Sequence, residues 1–269
     1  MITNKEIGMN GRFGNQLFQY ASLCGIAKKN NYDYGVSYNL RSDNEKFHFC
    51  LSDCFDFLEA KDASNIQMDR YIRDNDWIFN PNFFNIPDGS DIWGYFQSEK
   101  YFLGVDISKE FILNINHTEL LKRRYEKLFN KKTISLHYRL GGDRVNESMQ
   151  LYHKNVSSDF YKNALDVIQY NPDEYNILVF SDNMNLCKEL LRDLDYTFNF
   201  IQNENNVLDF IHMALCDINI VGNSTFSWWS AYMNQNKNKK VIVTESEWFG
   251  PGYKQFNLTD TFPESWIRL

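Results

Sequence analysis

The sequence predicts an α/β protein whose C-terminal half holds a parallel, doubly wound sheet. Three observations carry this expectation. Beyond residue 132, short apolar stretches alternate with segments of helical period, the order of successive βαβ units. Residues 175–180 are almost wholly apolar, as in a strand covered on both faces. The start of the chain repeats the theme, with a short apolar segment, a glycine loop and a helical run.

From the N-terminus, Glu6-Ile7-Gly8-Met9 reads as a short strand leading into Gly11-Arg12-Phe13-Gly14-Asn15. The glycines give a tight loop, and Asn15 can cap the next helix. Leu17, Phe18, Ala21, Cys24 and Ala27 recur at helical spacing, so residues 16–29 form a helix with one buried stripe. Residues 34–38 form a strand. Residues 59–90, with Pro81 and Pro87, are irregular around a small helix. Residues 91–95 lead to Gln97 at a strand end, and Ser98 caps a short helix.

Residues 117–130 read as a helix and 133–139 as a strand, succeeded by the loop Leu140-Gly141-Gly142-Asp143. A helix at 159–169 has Ser157 or Ser158 as its cap. Strand 175–180, helix 184–193, strand 198–201 and helix 206–216 come next. The stretch 217–222 is a β-branched strand turned by Gly222. Asn223, Ser224 and Thr225 then offer three capping side chains to a helix with an aromatic run. Residues 240–244 form a last strand before an aromatic tail. A division at 130/131 separates two domains, with the last helix or tail able to pack back on the N-terminal half.

Composition fixes the class. With 43% hydrophobic and 23% charged residues among 269, the chain is that of a globular protein with room for one large core or two smaller ones. The net charge of −7 argues against nucleic acid or anionic membranes as partners. Lys122-Arg123-Arg124 reads as the solvated face of a helix. Five scattered cysteines without a CxxC pair point to a reducing compartment, with no disulfide framework and no zinc site. No apolar run reaches the length of a membrane span or a signal h-region. We therefore expect a cytoplasmic protein, working at the inner face of the membrane if its substrate is lipid-linked.

In a parallel sheet, ligands sit at the C-terminal ends of the strands. His137, Arg139, Asp182 and Asn223 to Thr225 all fall there. A guanidinium beside a glycine loop suits a pyrophosphate, and so does a capped helix N-terminus. His137 alternates with Arg139 on one strand face. The Gly-x-x-Gly near the N-terminus is not a dinucleotide fingerprint, because GxGxxG is absent. Asp74-Asn75-Asp76 superficially matches a metal-binding DxD but lacks an apolar strand before it, and reads as solvated surface.

Gly11-Arg12-Phe13-Gly14-Asn15-Gln16-Leu17-Phe18-Gln19-Tyr20-Ala21, Gly94-Tyr95-Phe96-Gln97-Ser98, His137-Tyr138-Arg139, Phe180-Ser181-Asp182 and Asn223-Ser224-Thr225-Phe226-Ser227-Trp228-Trp229 occur in this order. Together they closely resemble the bacterial α-1,2-fucosyltransferases of glycosyltransferase family 11, across nearly the whole chain. The resemblance implies a GT-B-like fold of two Rossmann-like halves, with residues 1–130 on the acceptor side and 131–269 binding the GDP-sugar. It implies inverting transfer of L-fucose from GDP-β-L-fucose to a galactose-like hydroxyl, without a metal or other cofactor. The acceptor it implies is an oligosaccharide or lipid-linked glycan, such as a surface polysaccharide unit in O-antigen biosynthesis.

Carried over by residue, the resemblance gives Arg139 the β-phosphate and the leaving group. His137 and Asp209 flank the guanosine. Ser224, Thr225 and Phe226 meet the pyrophosphate, with Asp182 and Asn223 beside them on the donor side. Asn15, with Arg12 nearby, reaches over from the N-terminal half; Gln97 and Trp93 belong to the acceptor side. Aromatic residues there, such as Tyr34, Tyr38, Phe47 and Trp93, have faces that can stack on sugars, although core filling is the commoner role of such side chains. The family reads His-x-Arg-x-Gly-Asp, whereas Leu140-Gly141-Gly142-Asp143 is one residue longer. That leaves open the register of Asp143, the candidate base beside Arg139 and Asn15 in the catalytic set. A fucosyltransferase of different linkage or acceptor is the near variant, and a GDP-sugar-binding protein of weak or lost turnover is the competing reading from another class.

Overall fold

Two all-parallel sheets organise the chain, one in each of two units. The computed structural model describes residues 1–38, 50–56, 58–75 and 77–269, with Asp143 described in its backbone alone. Phe47 and Asp76 lie outside the described residues. One unit comprises Met1–Asn114 and Asn257–Pro263, the other Ile115–Phe256 and Glu264–Leu269. The expected division at 130/131 lies C-terminal to this boundary, because the helix that starts at Ile115 packs within the second unit.

In the first unit the elements are β1 (Ile2–Asn4), α1 (Phe13–Asn30), β2 (Tyr34–Val36), β3 (Lys61–Asp62), β4 (Arg70–Arg73) and β5 (Ser90–Trp93). The sheet order is β3-β2-β1-β5-β4. The first strand is β1, with Ile2 and Thr3 fully buried at the sheet centre, and not residues 6–9. Gly8, at φ +103°, takes a left-handed conformation that a strand cannot accommodate.

The helix α1 starts at Phe13, earlier than its period suggested. Asn15 lies in its first turn, and Arg12 is the N-cap residue, without a side-chain cap bond. Every residue from Gln16 to Ala27 is buried, so the helix is covered on all sides and not along one stripe. Gly25 permits that cover, since a Cβ there would stand 2.3 Å from the Tyr101 carbonyl oxygen. Within 59–90 the structure adds β3 and β4 to the short 3₁₀ turn at Pro81–Asn85. As the sheet's edge strand β4 is mostly exposed, which explains its lack of an apolar signature.

The second unit contains α2 (Ile115–Arg124), β6 (Lys132–Tyr138), α3 (Glu147–Gln150), α4 (Ser158–Ile168), β7 (Tyr175–Ser181), α5 (Met184–Leu191), β8 (Phe198–Phe200), α6 (Asn206–Ala214), β9 (Ile218–Val221), α7 (Thr225–Met233), β10 (Lys240–Val243) and β11 (Ile267–Arg268). Its sheet order is β11-β10-β9-β6-β7-β8, parallel throughout. The order reverses at β6, between β9 and β7, the type of switch point that leaves a crevice at the strand ends.

Side-chain alternation divides this sheet into two faces. Ile134, Leu136, Tyr138, Ile177, Val179 and Ile220 pack with Phe160, Ala164 and Leu165 of α4. Leu178 and Phe180 pack on the other face with Met213 of α6 and Phe226 of α7. Helices thus cover both faces, which is why β7 is apolar along its length. Ser157, Asn183, Asn205 and Ser224 cap α4, α5, α6 and α7 by accepting backbone N–H bonds.

Candidate active site

The pairing register assembles the C-terminal mouth of the second sheet. His137 pairs across from Val221 and from Phe180, and Tyr138 from Ser181. Arg139 therefore emerges beside Asp182 on one flank and the Gly222-Asn223 turn on the other. Adjacent strands lie about 4.8 Å apart, so these groups share one small area.

Arg139 forms an ion pair from Nη1 to Asp182 Oδ2. The other carboxylate oxygen of Asp182 accepts the backbone N–H groups of Leu140 and Gly141, each at 2.8 Å. Burial pushes the Asp182 pKa up, but Arg139 and the two amides outweigh it and hold the group below the usual carboxylate range. Asp182 thus fixes both the guanidinium and the glycine loop. Gly141 is required here, because a Cβ would stand 2.8 Å from Asp182 Oδ2.

His137 is 5% exposed and lies with its ring 5.6 Å from that of Phe226. Burial pushes its pKa down to about 4, aided by Arg139 and Arg144 and opposed by Asp182. The imidazole is neutral at pH 7 and can donate or accept one hydrogen bond without adding charge. Its buried Nδ1 has no hydrogen-bond partner among the described residues. The ring closes the wall of the mouth together with Phe226, which in turn contacts Phe210 of α6 at 5.5 Å.

Ser224 is the N-cap of α7, its Oγ accepting from Phe226 N at 3.3 Å. Gly222 allows β9 to turn under this cap, since a Cβ would meet the His137 carbonyl oxygen and the Tyr161 hydroxyl at 2.8 Å each. Ser224, Thr225 and Phe226 are all half-buried at the helix start, where backbone N–H groups and the dipole favour an anion. Asn223, expected to face the donor, directs its side chain inward. Its amide donates to the carbonyls of Lys154 (2.8 Å) and Glu247 (3.0 Å), and its Oδ1 accepts from Arg144.

Asp209 lies in the first turn of α6, accepting from Asn203 Nδ2 at 2.9 Å. Burial raises its pKa to about 6 against that hydrogen bond. Asn203 is itself held by the Tyr125 hydroxyl at 2.9 Å. The Asp143 side chain lies outside the described residues.

Two residues at this mouth carry no signature in the sequence. Arg144, 5% exposed, binds the Lys154 carbonyl and both oxygens of Asn223. Glu247 binds the Ser157 N–H and hydroxyl at 2.9 and 2.6 Å, and its pKa is lowered by these bonds and by Lys154 in spite of burial. Neither sits in a motif; each is recognisable only once the loops fold together.

In the first unit, Asn15 and Gln97 meet directly, Gln97 Nε2 donating to Asn15 Oδ1 at 3.0 Å. Gly11, at φ +82°, must be glycine for a second reason: a Cβ would stand 2.6 Å from the Asn15 side chain. Arg12 is exposed at the start of α1. Trp93 is stacked under the Arg73 guanidinium at 4.0 Å and tilted against Tyr95, which stacks on Trp77 at 5.5 Å. Asp74 is not solvated surface. It is 5% exposed, lies just past β4, accepts from the Tyr101 hydroxyl at 3.1 Å and donates its N–H to the Trp93 carbonyl. No group of three or more His, Cys, Asp or Glu residues suited to a metal occurs among the described residues.

The family described as glycosyl transferase family 11 matches residues 2–268. The chain belongs to glycosyltransferase family 11. Among similar proteins, this family 11 chain is 27% identical to the O-antigen biosynthesis glycosyltransferase WbnK of Escherichia coli, over 97% of the chain and 99% of that protein. It is 27% identical to an α-1,2-colitosyltransferase of Escherichia coli, over 65% of the chain and 61% of that protein. A crystal structure of the α-1,6-fucosyltransferase NodZ from Bradyrhizobium, soaked with GDP-fucose, shares the fold with a TM-score of 0.55 at 12% identity, covering 93% of the chain and 96% of that structure. The architecture is thus GT-B-like. No helix among the described residues is long and apolar enough to cross a membrane.

Proposed function

We propose that this family 11 glycosyltransferase moves L-fucose from GDP-β-L-fucose, with inversion, to a galactose-like hydroxyl of a surface glycan in α-1,2 linkage. The observation that carries the proposal is the convergence of Arg139, His137 and the α7 N-terminus at one strand-end mouth, with Arg139 oriented by Asp182. Departure of GDP places negative charge on the β-phosphate. A fixed guanidinium and a helix N-terminus stabilise that charge most when the bond to the sugar is breaking. Asp209, a half-buried carboxylate with one oxygen held by Asn203, suits the N–H edge of guanine. In this reading the step runs without a metal, the cationic and dipolar groups taking the role a divalent ion would have.

Gln97 and Trp93 serve the acceptor side in this reading, and Asn15, bonded to Gln97, belongs with the catalytic set. A colitose-type donor is the second reading, favoured by the similarity to an α-1,2-colitosyltransferase. The test is incubation with GDP-fucose and a panel of galactosides, with and without EDTA. Acceptor-dependent GDP release that survives EDTA supports the proposal. Binding of GDP-fucose without turnover against any acceptor supports a binding protein instead, and loss of activity in EDTA overturns the metal-free mechanism.

A further inference from the structure

The burial of Arg144 at the mouth of the second sheet calls for a physical reason. A buried cation costs several kcal/mol of desolvation unless it is thoroughly hydrogen-bonded. Its Nη1 donates to the Lys154 carbonyl at 2.8 Å and to Asn223 Oδ1 at 2.5 Å, and its Nη2 to the Asn223 carbonyl at 2.7 Å. The Asn223 amide closes the junction by donating to Lys154 and Glu247 carbonyls. Four loop segments thus meet on one guanidinium–carboxamide pair: the glycine-extended loop after β6, residues 154–157, the turn after β9 and the segment after β10. An apolar side chain could fill the same volume, but it could not satisfy the Asn223 carbonyl or leave a positive charge under the start of α7.

We propose that Arg144 is a positioning residue for a nucleoside diphosphate, clamping Asn223 so that the Ser224-Thr225 turn presents its N–H groups to the phosphates. Arg144 does not touch the ligand. It acts through Asn223, one residue before the α7 cap, and it adds a second cation beneath the site where Arg139 supplies the first. The inference rests on the proposed GDP-sugar reading, and it predicts an effect confined to the diphosphate part of the ligand.

The experiment measures dissociation constants of the full-length chain for GDP and for guanosine by titration calorimetry, in the wild type and in Arg144→Met, Arg144→Lys and Asn223→Ala. We expect Arg144→Met to weaken GDP at least tenfold and guanosine less than twofold. Asn223→Ala should behave likewise, and Arg144→Lys should restore part of the GDP affinity. The double variant Arg144→Met/Asn223→Ala should bind GDP no more weakly than the worse single variant, because both act through one clamp. An equal loss for GDP and guanosine, or no loss for either, overturns the inference. Should Arg144→Met fail to fold, Arg144→Lys and Asn223→Ala decide by the same ratio. A wild type that binds neither ligand refutes the GDP-sugar reading itself, a result distinct from failure of the clamp.

Discussion

Replacing Asp182 by asparagine tests the central arrangement of the candidate site. The carboxylate holds Arg139 through Oδ2 and accepts the N–H groups of Leu140 and Gly141 through Oδ1. An amide cannot serve both sides: if its oxygen faces the loop, its NH₂ faces a guanidinium, and the reverse orientation sets NH₂ against two backbone donors. A charge-assisted hydrogen bond contributes about 1.5–3 kcal/mol. Asp182→Asn should therefore lower the unfolding free energy by roughly that amount in urea titrations. Under the proposed function, loss of an oriented Arg139 should lower kcat/KM for GDP-fucose by roughly 10- to 150-fold, at ~1.36 kcal/mol per decade. The wild-type contribution is present above the ordinary carboxylate range and fades as pH falls through the depressed Asp182 pKa. The variant should lack this acid-sensitive component. Unchanged stability, within about 0.5 kcal/mol, together with unchanged kcat/KM would refute the reasoning.

Gly141→Ala drives a methyl group against Asp182 Oδ2, so GDP affinity should fall at least about tenfold while far-UV circular dichroism stays native; titration with GDP reads it. Burial raises the Asp209 pKa to about 6, so under the proposed GDP-sugar reading guanosine binding should strengthen as pH climbs from 5 to 7, and Asp209→Asn should abolish that slope. His212 is fully buried, with both ring nitrogens lacking partners among the described residues and Tyr125, Phe129 and Phe180 around it. His212→Leu should raise stability at pH 7 by about 1 kcal/mol, the order expected for removing an unsatisfied buried polar group. Burial pushes the His212 pKa down to about 3, so the native state resists its protonation and loses stability as pH falls below the ordinary histidine value. The leucine variant should show a shallower loss between pH 6.5 and 4 in thermal melts.

The second unit was the more legible in sequence, for a physical reason. Its strands are central and covered on both faces, so β6, β7 and β9 announce themselves as apolar runs, and Ser157, Asn183 and Ser224 are capping residues that cap. The first unit hides its elements. Its β1 is three residues long, and β4 is an exposed edge strand whose only signal is Tyr71 and Ile72 between arginines. Asp74 looked solvated because its partner, Tyr101, is remote in sequence. At the mouth, the placement of Arg139 and Ser224 was readable because the strand pattern alone puts them at strand ends. Arg144 and the inward turn of Asn223 were not, because their partners come from four loops that sequence periodicity does not relate.

The division of the chain carries a consequence for anyone wishing to recombine its parts. The backbone passes from one unit to the other at 114/115, at 256/257 and again at 263/264. Asp260 of the returning stretch accepts from Phe79 N and pairs with Lys100, while β11 completes the second sheet beside β10. A single cut therefore cannot yield two intact modules: severing at 114 strips the first unit of Asp260 and leaves the second carrying a foreign strap. Exchanging second units between family 11 members requires transplanting residues 257–269 piecewise, each part with the unit it belongs to.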